Sequence, residues 1–317
     1  LKKILITGLW YSGSSAVCDL LRQHEQVWMM PDNRSAGLPE FHAYALGWFD
    51  EIASAVESAP EKKLAMLYRN LINTIKLNPF QNVQAVSQEL KKHLLIAGDE
   101  FIKESERIFQ SKSKNGLRDS FLNVAADYIE KISDIPCKTG KENITHVIFD
   151  QAIKTYSDFD VWPRVFKESK LIIMERDILD QIADCQEHST FFWIVKGYKD
   201  IKKFIEDQER ERELMYSYAR KMNNVKVIKF EDLVKNYQKT KNEIFEFVGI
   251  DAKTISNEGE HFDPLKSLKN IGKYKQYLSD QEIIYAKSQI EKCRFCYTSN
   301  EQPTIRERLS ILRKIQA

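Results

Sequence analysis

Gly8, Ser12, Gly13, Ser14 and Ser15 are the residues in this chain best suited to holding an anion. They follow Ile4-Leu5-Ile6-Thr7, a short apolar run that reads as a buried strand. They precede Ala16, Val17, Leu20 and Leu21, which recur at helical spacing, with Asp19, Arg22 and Gln23 on the other face. A strand, a small-residue turn and a helix start aim backbone N–H groups and the positive end of a helix dipole at one spot. That is a seat for a phosphate or sulfate. The same residues also suit an ordinary turn whose serines cap the helix. The spacing of Gly8 and Gly13 matches a Walker A loop, but Ser14 stands where that loop carries lysine. A nucleoside triphosphate with its metal carries more charge than backbone amides handle alone. An ATPase or GTPase is therefore disfavoured against a protein that binds a less charged, diester-like group.

The elements that must position this turn alternate along the chain. Strands are predicted at Gln26–Met30, His146–Phe149, Lys170–Met174 and Val225–Phe230. Helices are predicted across Tyr156–Glu168, from Ile178, across Asp200–Met222, and from Glu231 to Gly249. Strands separated by helices imply an α/β fold with a mostly parallel sheet flanked by helices on both faces. Ligands in such folds sit beyond the carboxyl ends of the strands, where Ser12, Glu40, Asp150 and Arg176 would lie. Residues 43–135 instead read as long helices, a large helical insertion within a single domain spanning 1–317. Its aromatic residues fit a packed helical core and sugar stacking equally well.

Composition sets the outer bounds. A hydrophobic fraction of 43% supports a sizeable core, and a net charge of +2 gives no bulk reason to expect nucleic acid. An odd number of cysteines, five, favours a reducing, cytoplasmic setting. Cys293 and Cys296 form a lone CxxC without a second pair, so no metal is expected. No apolar run reaches a membrane-spanning length and no signal peptide is legible, although a trimmed leader stays open. The basic stretch 305–315 leaves peripheral membrane contact open.

With these pieces placed, the chain resembles the sulfotransferases that use 3′-phosphoadenosine 5′-phosphosulfate (PAPS), in particular their carbohydrate-acting, bacterial-type members. Tyr11-Ser12-Gly13-Ser14-Ser15 resembles the family's phosphosulfate loop. Lys170 to Asp180, with Glu175-Arg176-Asp177, resembles the strand and turn that hold the 3′-phosphate. Lys229-Phe230-Glu231-Asp232-Leu233 followed by Phe247-Val248-Gly249-Ile250, and Ser267 to Lys275, are similar to two further family stretches, the second a cofactor-covering loop. The resemblance implies a fold like that of P-loop NTPases and PAPS as co-substrate. It implies a small-molecule or oligosaccharide acceptor, such as a sugar or glycolipid hydroxyl.

The resemblance also assigns roles. Ser12, Gly13, Ser14 and Ser15 would hold the 5′-phosphate and sulfonate, and Arg176 the 3′-phosphate through paired hydrogen bonds. Lys269 and Lys273 would add charge over the cofactor. Glu40 would be the general base, with His42 as the fallback. Three positions depart from the family pattern. Tyr11 replaces the basic residue before Ser-Gly and brings no charge to the leaving oxygen, unless Lys154 or Lys266 substitutes. Asp184 replaces a phosphate-binding serine, and its carboxylate would repel a 3′-phosphate unless paired. Gln151 replaces a lysine. Two alternatives therefore stay open: a nucleotide-binding protein that has lost catalysis, and an ATP-using, kinase-like transferase.

Overall fold

Along the first strand, Ile4 and Ile6 point to one side and Leu5 to the other, and all three are buried. A strand covered on both faces reads as a continuous apolar run rather than an alternating one. The computed structural model describes residues 1–9, 11–29, 49, 52–53, 55–56, 61–76, 88–110, 116–140, 143–151, 161–188, 195, 197–255 and 258–299.

The chain begins β1 (Lys2–Gly8), α1 (Ser14–Leu21), β2 (Val27–Met29). Among the described residues the helices that come next are α2 (Glu61–Lys76), α3 (Gln88–Phe109), α4 (Leu117–Ser133) and α5 (Ile135–Lys138). The α/β alternation resumes with β3 (His146–Asp150), α6 (Trp162–Val165), β4 (Ser169–Glu175), α7 (Ile178–Glu187), α8 (Gly197–Ala219) and β5 (Val225–Lys229). After these come α9 (Phe230–Lys235), α10 (Tyr237–Val248), α11 (Pro264–Ser267), α12 (Tyr274–Tyr277) and α13 (Asp280–Ser299).

The five strands form one parallel sheet in the order β2-β3-β1-β4-β5. The chain leaves β1 toward one side of the sheet and later crosses to the other. The crevice beyond the end of β1 is thus a topological switch point, where such sheets bind ligands.

Two cores cover the faces. Leu5, Val147, Phe149, Leu171 and Ile173 pack against Phe101, Phe121, Tyr128 and Trp162, so the helices between β2 and β3 share a core with the sheet. Ile6, Ile148, Ile172 and Met174 pack against Val17 and Leu21 of α1 and against Phe230, Ile244 and Phe245. A third cluster joins Ile178 and Ile182 of α7 to Phe204 of α8, and to Leu278 and Ala286 near the carboxyl end. Each fully buried side chain of this size stabilises the fold by about 1.5–3 kcal/mol. The third cluster matters for the site because it pins residues 270–278 over α7.

Two helices differ from the sequence expectation. The helix expected across 156–168 is confined, among the described residues, to Trp162–Val165. Pro163 sits in its first turn, and Glu168, at φ +54°, turns the chain into β4. The helix expected from Glu231 to Gly249 is broken at Asn236 into α9 and α10, and the second ends where Gly249 adopts φ +82°. The stretch 305–315 lies outside the described residues.

Candidate functional site

β1 ends in Gly8, whose neighbour across the ladder is Met174. A Cβ at Gly8 would stand 2.0 Å from the Ser12 hydroxyl and 2.8 Å from the Met174 carbonyl, so only glycine lets the turn fold back on the sheet. Ser12 is accordingly buried, and its N–H donates to the Leu9 carbonyl at 2.9 Å. Gly13 is the N-cap of α1 at φ +83°, and no side chain caps the helix. The serines therefore do not take the capping role that the sequence allowed. Ser14 is buried and its hydroxyl accepts from Gln151 Nε2 at 2.6 Å; Ser15 is half-buried. The first N–H groups of α1 thus retain their usual anion-seeking character.

Tyr11 adopts φ +57° and is 37% exposed. Its ring stacks on His188, with centroids 5.9 Å apart and planes at 20°. Burial, then the proximity of Cys185 and Asp184, raises the phenol's pKa above its usual value, so the group stays a neutral donor.

Arg176 follows β4 and is buried. Its Nη1 donates to the Tyr11 carbonyl at 3.0 Å and to the carboxylate of Asp184. Its Nη2 donates to the Asn270 carbonyl at 2.8 Å, and the ring of Phe230 lies 5.1 Å from the guanidinium carbon. The Nε is buried and has no hydrogen-bond partner among the described residues. The Nε–H is therefore a donor that no described residue engages. Arg212 of α8 braces the strand end from behind, donating to the Arg176 carbonyl at 3.1 Å and pairing with Glu175 at 3.3 Å.

α7 brings two buried acids to this junction four residues apart, and so on one face. Asp177 caps the helix by accepting from the Leu179 N–H at 2.8 Å. Asp180 accepts the N–H groups of Gly272 at 2.8 Å and Tyr274 at 3.0 Å, anchoring residues 270–278, the segment that covers α7. Asp184 pairs with Arg176 on one oxygen and with Lys273, at 2.5 Å, on the other.

Lys273 also bonds to Glu187. That bond, then one from Tyr277, holds the Glu187 carboxyl down to about 2. Burial works against charge on Lys273, but its bonds to Asp184 and Glu187 outweigh that and raise its pKa. Burial and the neighbouring Asp184 push the Cys185 thiol up to about 12, so it is not a reactive thiolate. Asp184, Glu187 and His188 bring ligand atoms within 4.8 Å of one another, but the Lys273 ammonium already lies on both carboxylates.

Tyr11, Ser12, Gly13, Ser14, Arg176, Asp184 and Lys273 thus belong to one connected site. Lys269 is exposed on the covering segment. Lys266 is exposed and leans on Asp263 at 3.7 Å. Glu40, His42 and Lys154 lie outside the described residues. Gln151 takes a place in the site through Ser14. Phe230 was missed as a site residue, although it immediately follows a strand and opens a helix, as Arg176 nearly does. A Cβ at Gly13 would sit 2.6 Å from its ring, so Phe230 wedges the turn as well as flanking the guanidinium.

No curated protein sequence matches the chain. Among solved structures it is similar to the sulfotransferase domain of the olefin synthase from Synechococcus PCC 7002. That likeness has 14% identity and a TM-score of 0.45, covering 96% of this chain and 95% of that one. It is also similar to sulfotransferase STF1 from Mycobacterium tuberculosis H37Rv, at 14% identity and a TM-score of 0.42, covering 91% of this chain and 76% of that one. Both likenesses are remote, and no residue's role is carried across from either. The sequence itself matches the Sulfotransferase family over residues 3–254. That match takes in the turn after β1, Arg176 and Asp184, and the chain belongs to the sulfotransferase family.

Proposed function

We propose that this protein transfers the sulfonyl group of PAPS to a hydroxyl of a carbohydrate, glycolipid or similar acceptor. The observation that carries the reading is the contact between Arg176 and the Tyr11 carbonyl. It puts a guanidinium with a spare buried donor beside an uncapped helix start, at the switch point of a parallel sheet. A nucleotide with phosphates at two ends needs two such seats on one crevice. The amides of residues 13–15 would hold the 5′-phosphosulfate, and the Arg176 fork the 3′-phosphate.

In the transfer, the acceptor oxygen forms a bond to sulfur while the bridging bond from sulfur to the phosphate oxygen breaks. The nucleotide leaves as 3′-phosphoadenosine 5′-phosphate, and the acceptor proton goes to a base. Glu40 is the proposed base and His42 the alternative. Tyr11, as a neutral phenol, can donate a hydrogen bond to the leaving oxygen but supplies no charge.

A second reading is favoured by Tyr11 itself. Its left-handed backbone and its ring stacked on His188 suit a wall of a nucleotide-binding site without efficient transfer. Thermal-shift measurements with 3′-phosphoadenosine 5′-phosphate, adenosine 5′-phosphate and Mg-ATP test the donor. The first should stabilise the protein most, whereas Mg-dependent stabilisation by ATP would indicate kinase-like chemistry instead. Turnover of PAPS over a panel of hydroxyl acceptors separates the two remaining readings. Tyr11→Lys should raise that turnover if the missing charge is what limits it.

A further inference from the structure

Arg176 and Lys273 are the cations that Asp184 holds at the junction of β4, α7 and the covering segment, and both are already neutralised. Asp184 takes one with each of its oxygens, and Glu187 takes Lys273 a second time. The side chains of Arg176, Asp184 and Lys273 are only 4%, 11% and 12% exposed, so water screens the two pairs that Asp184 makes only a little. Two positive and two negative side chains leave the cluster without net charge. A dianionic phosphate placed on the same cations would leave it with a surplus of two negative charges. Bound beside an intact Asp184 pair, it would face an ionised carboxylate sharing its donors, which a half-buried site tolerates poorly.

We propose that Asp184 is a resident anion in the phosphate seat. Its carboxylate holds Arg176 and Lys273 when no ligand is bound, and it must release at least one of them when a phosphate dianion arrives. Affinity for that phosphate is then set by a competition inside the protein. The same event loosens the covering segment, because Lys273 belongs to it and Asn270 is tied to Arg176. The amide contacts of Asp180 with Gly272 and Tyr274 do not involve the competing cations, so the segment stays hinged there. The inference rests on the reading of Arg176 as a phosphate-binding group, but not on the identity of the nucleotide that carries the phosphate.

The test is calorimetric titration of the full chain, wild type, Asp184→Asn and Glu187→Gln, with inorganic phosphate, 3′-phosphoadenosine 5′-phosphate and adenosine 5′-phosphate. Asp184→Asn keeps the shape and removes the charge. It should tighten binding of 3′-phosphoadenosine 5′-phosphate about tenfold and make inorganic phosphate binding measurable, with adenosine 5′-phosphate moved by less than about twofold. Glu187→Gln frees Lys273 from one of two partners and should give a smaller gain of about threefold. That variant alters a more exposed side chain and decides the matter if Asp184→Asn does not fold.

Equal or weaker binding of 3′-phosphoadenosine 5′-phosphate by the variants, with the wild type still preferring it over adenosine 5′-phosphate, overturns the resident-anion proposal and leaves the donor reading standing. A gain for inorganic phosphate in the variants, with no preference for the 3′-phosphorylated nucleotide in any protein, upholds the proposal and removes the donor. Absence of binding by all three proteins to both phosphates overturns both.

Discussion

The turn after β1 and the junction after β4 stand side by side at the same end of the sheet, yet they are built in opposite ways. The turn is made of backbone: Gly8 and Gly13 fit where no side chain can, and α1 starts without a side-chain cap. The junction is made of side chains that satisfy one another: Arg176 with Asp184, Asp184 with Lys273, Lys273 with Glu187. One region offers backbone N–H groups that no side chain among the described residues caps. The other has lent its cations to the protein's own acids. A site can thus be preorganised in geometry and still be partly spent in charge.

The comparison breaks most severely if Arg176 is removed. Arg176→Ala leaves a largely buried Asp184 with one cation and frees the Tyr11 and Asn270 carbonyls, and should destabilise the fold by about 3–5 kcal/mol in denaturant unfolding. Arg176→Lys should recover only part of this, since an ammonium cannot serve three acceptors from a fixed fork. A loss below about 1 kcal/mol would mean that the junction is held from elsewhere.

On the backbone side, Gly13→Ala should cost about 2–3 kcal/mol, from the left-handed φ and the contact with Phe230. Adding Phe230→Leu should reduce the penalty of the alanine below additivity in a double-mutant cycle. Additive losses would show that the ring does not wedge the turn.

The pH dependence separates the junction from the far end of the sheet. His146, at the start of β3, is buried; that burial, with the positive charge of Lys2, pulls its pKa down from 6.5 to about 4. The unfolded chain takes up the proton first as pH falls, so stability drops from about pH 6.5 to about pH 4 and then levels for this group. The loss should be about 2 kcal/mol, and His146→Gln should remove it. Glu187 has the opposite shift. Its contribution is present above pH 4.5 and is lost as pH falls toward about 2. Melting temperatures recorded from pH 8 to pH 2 should show two successive windows that meet near pH 4, and a junction that fails before His146 titrates would contradict this order.

The smallest effect is expected at Lys266, exposed and paired with Asp263 at 3.7 Å. Lys266→Ala should change stability by less than about 0.5 kcal/mol and nucleotide affinity by less than about twofold. A larger loss of affinity would give the turn the distant cation that its own sequence lacks.

Much of this was legible in the residues themselves. Ile4-Leu5-Ile6 and Leu171 to Met174 announce strands because strands buried on both faces are apolar throughout, whereas β5, at the sheet edge, carries Lys226 between Val225 and Val227. The alternation of strand and helix implied a parallel sheet, and the small-residue turn was recognisable as a glycine-bearing connection from strand to helix. The break at Asn236 was not legible, because residues 231–249 carry a helical pattern throughout, with no proline or internal glycine to interrupt it. The part played by Phe230 was hidden for a different reason: its partners, Gly13 and Arg176, are remote in sequence.

The sequence by itself determined the turn, since the conformational freedom of Gly8 and Gly13 and the hydrophobic period of the elements around them act over a few residues. It also supplied an arginine at a strand end with Glu175, Asp180 and Asp184 among the acids nearby. Only the tertiary structure decided among them. Arg212 takes Glu175, the amides of the covering segment take Asp180, and Asp184 is left for Arg176 and Lys273. Charge pairing follows distance in space, and that distance is set by how α7, α8 and the covering segment pack together.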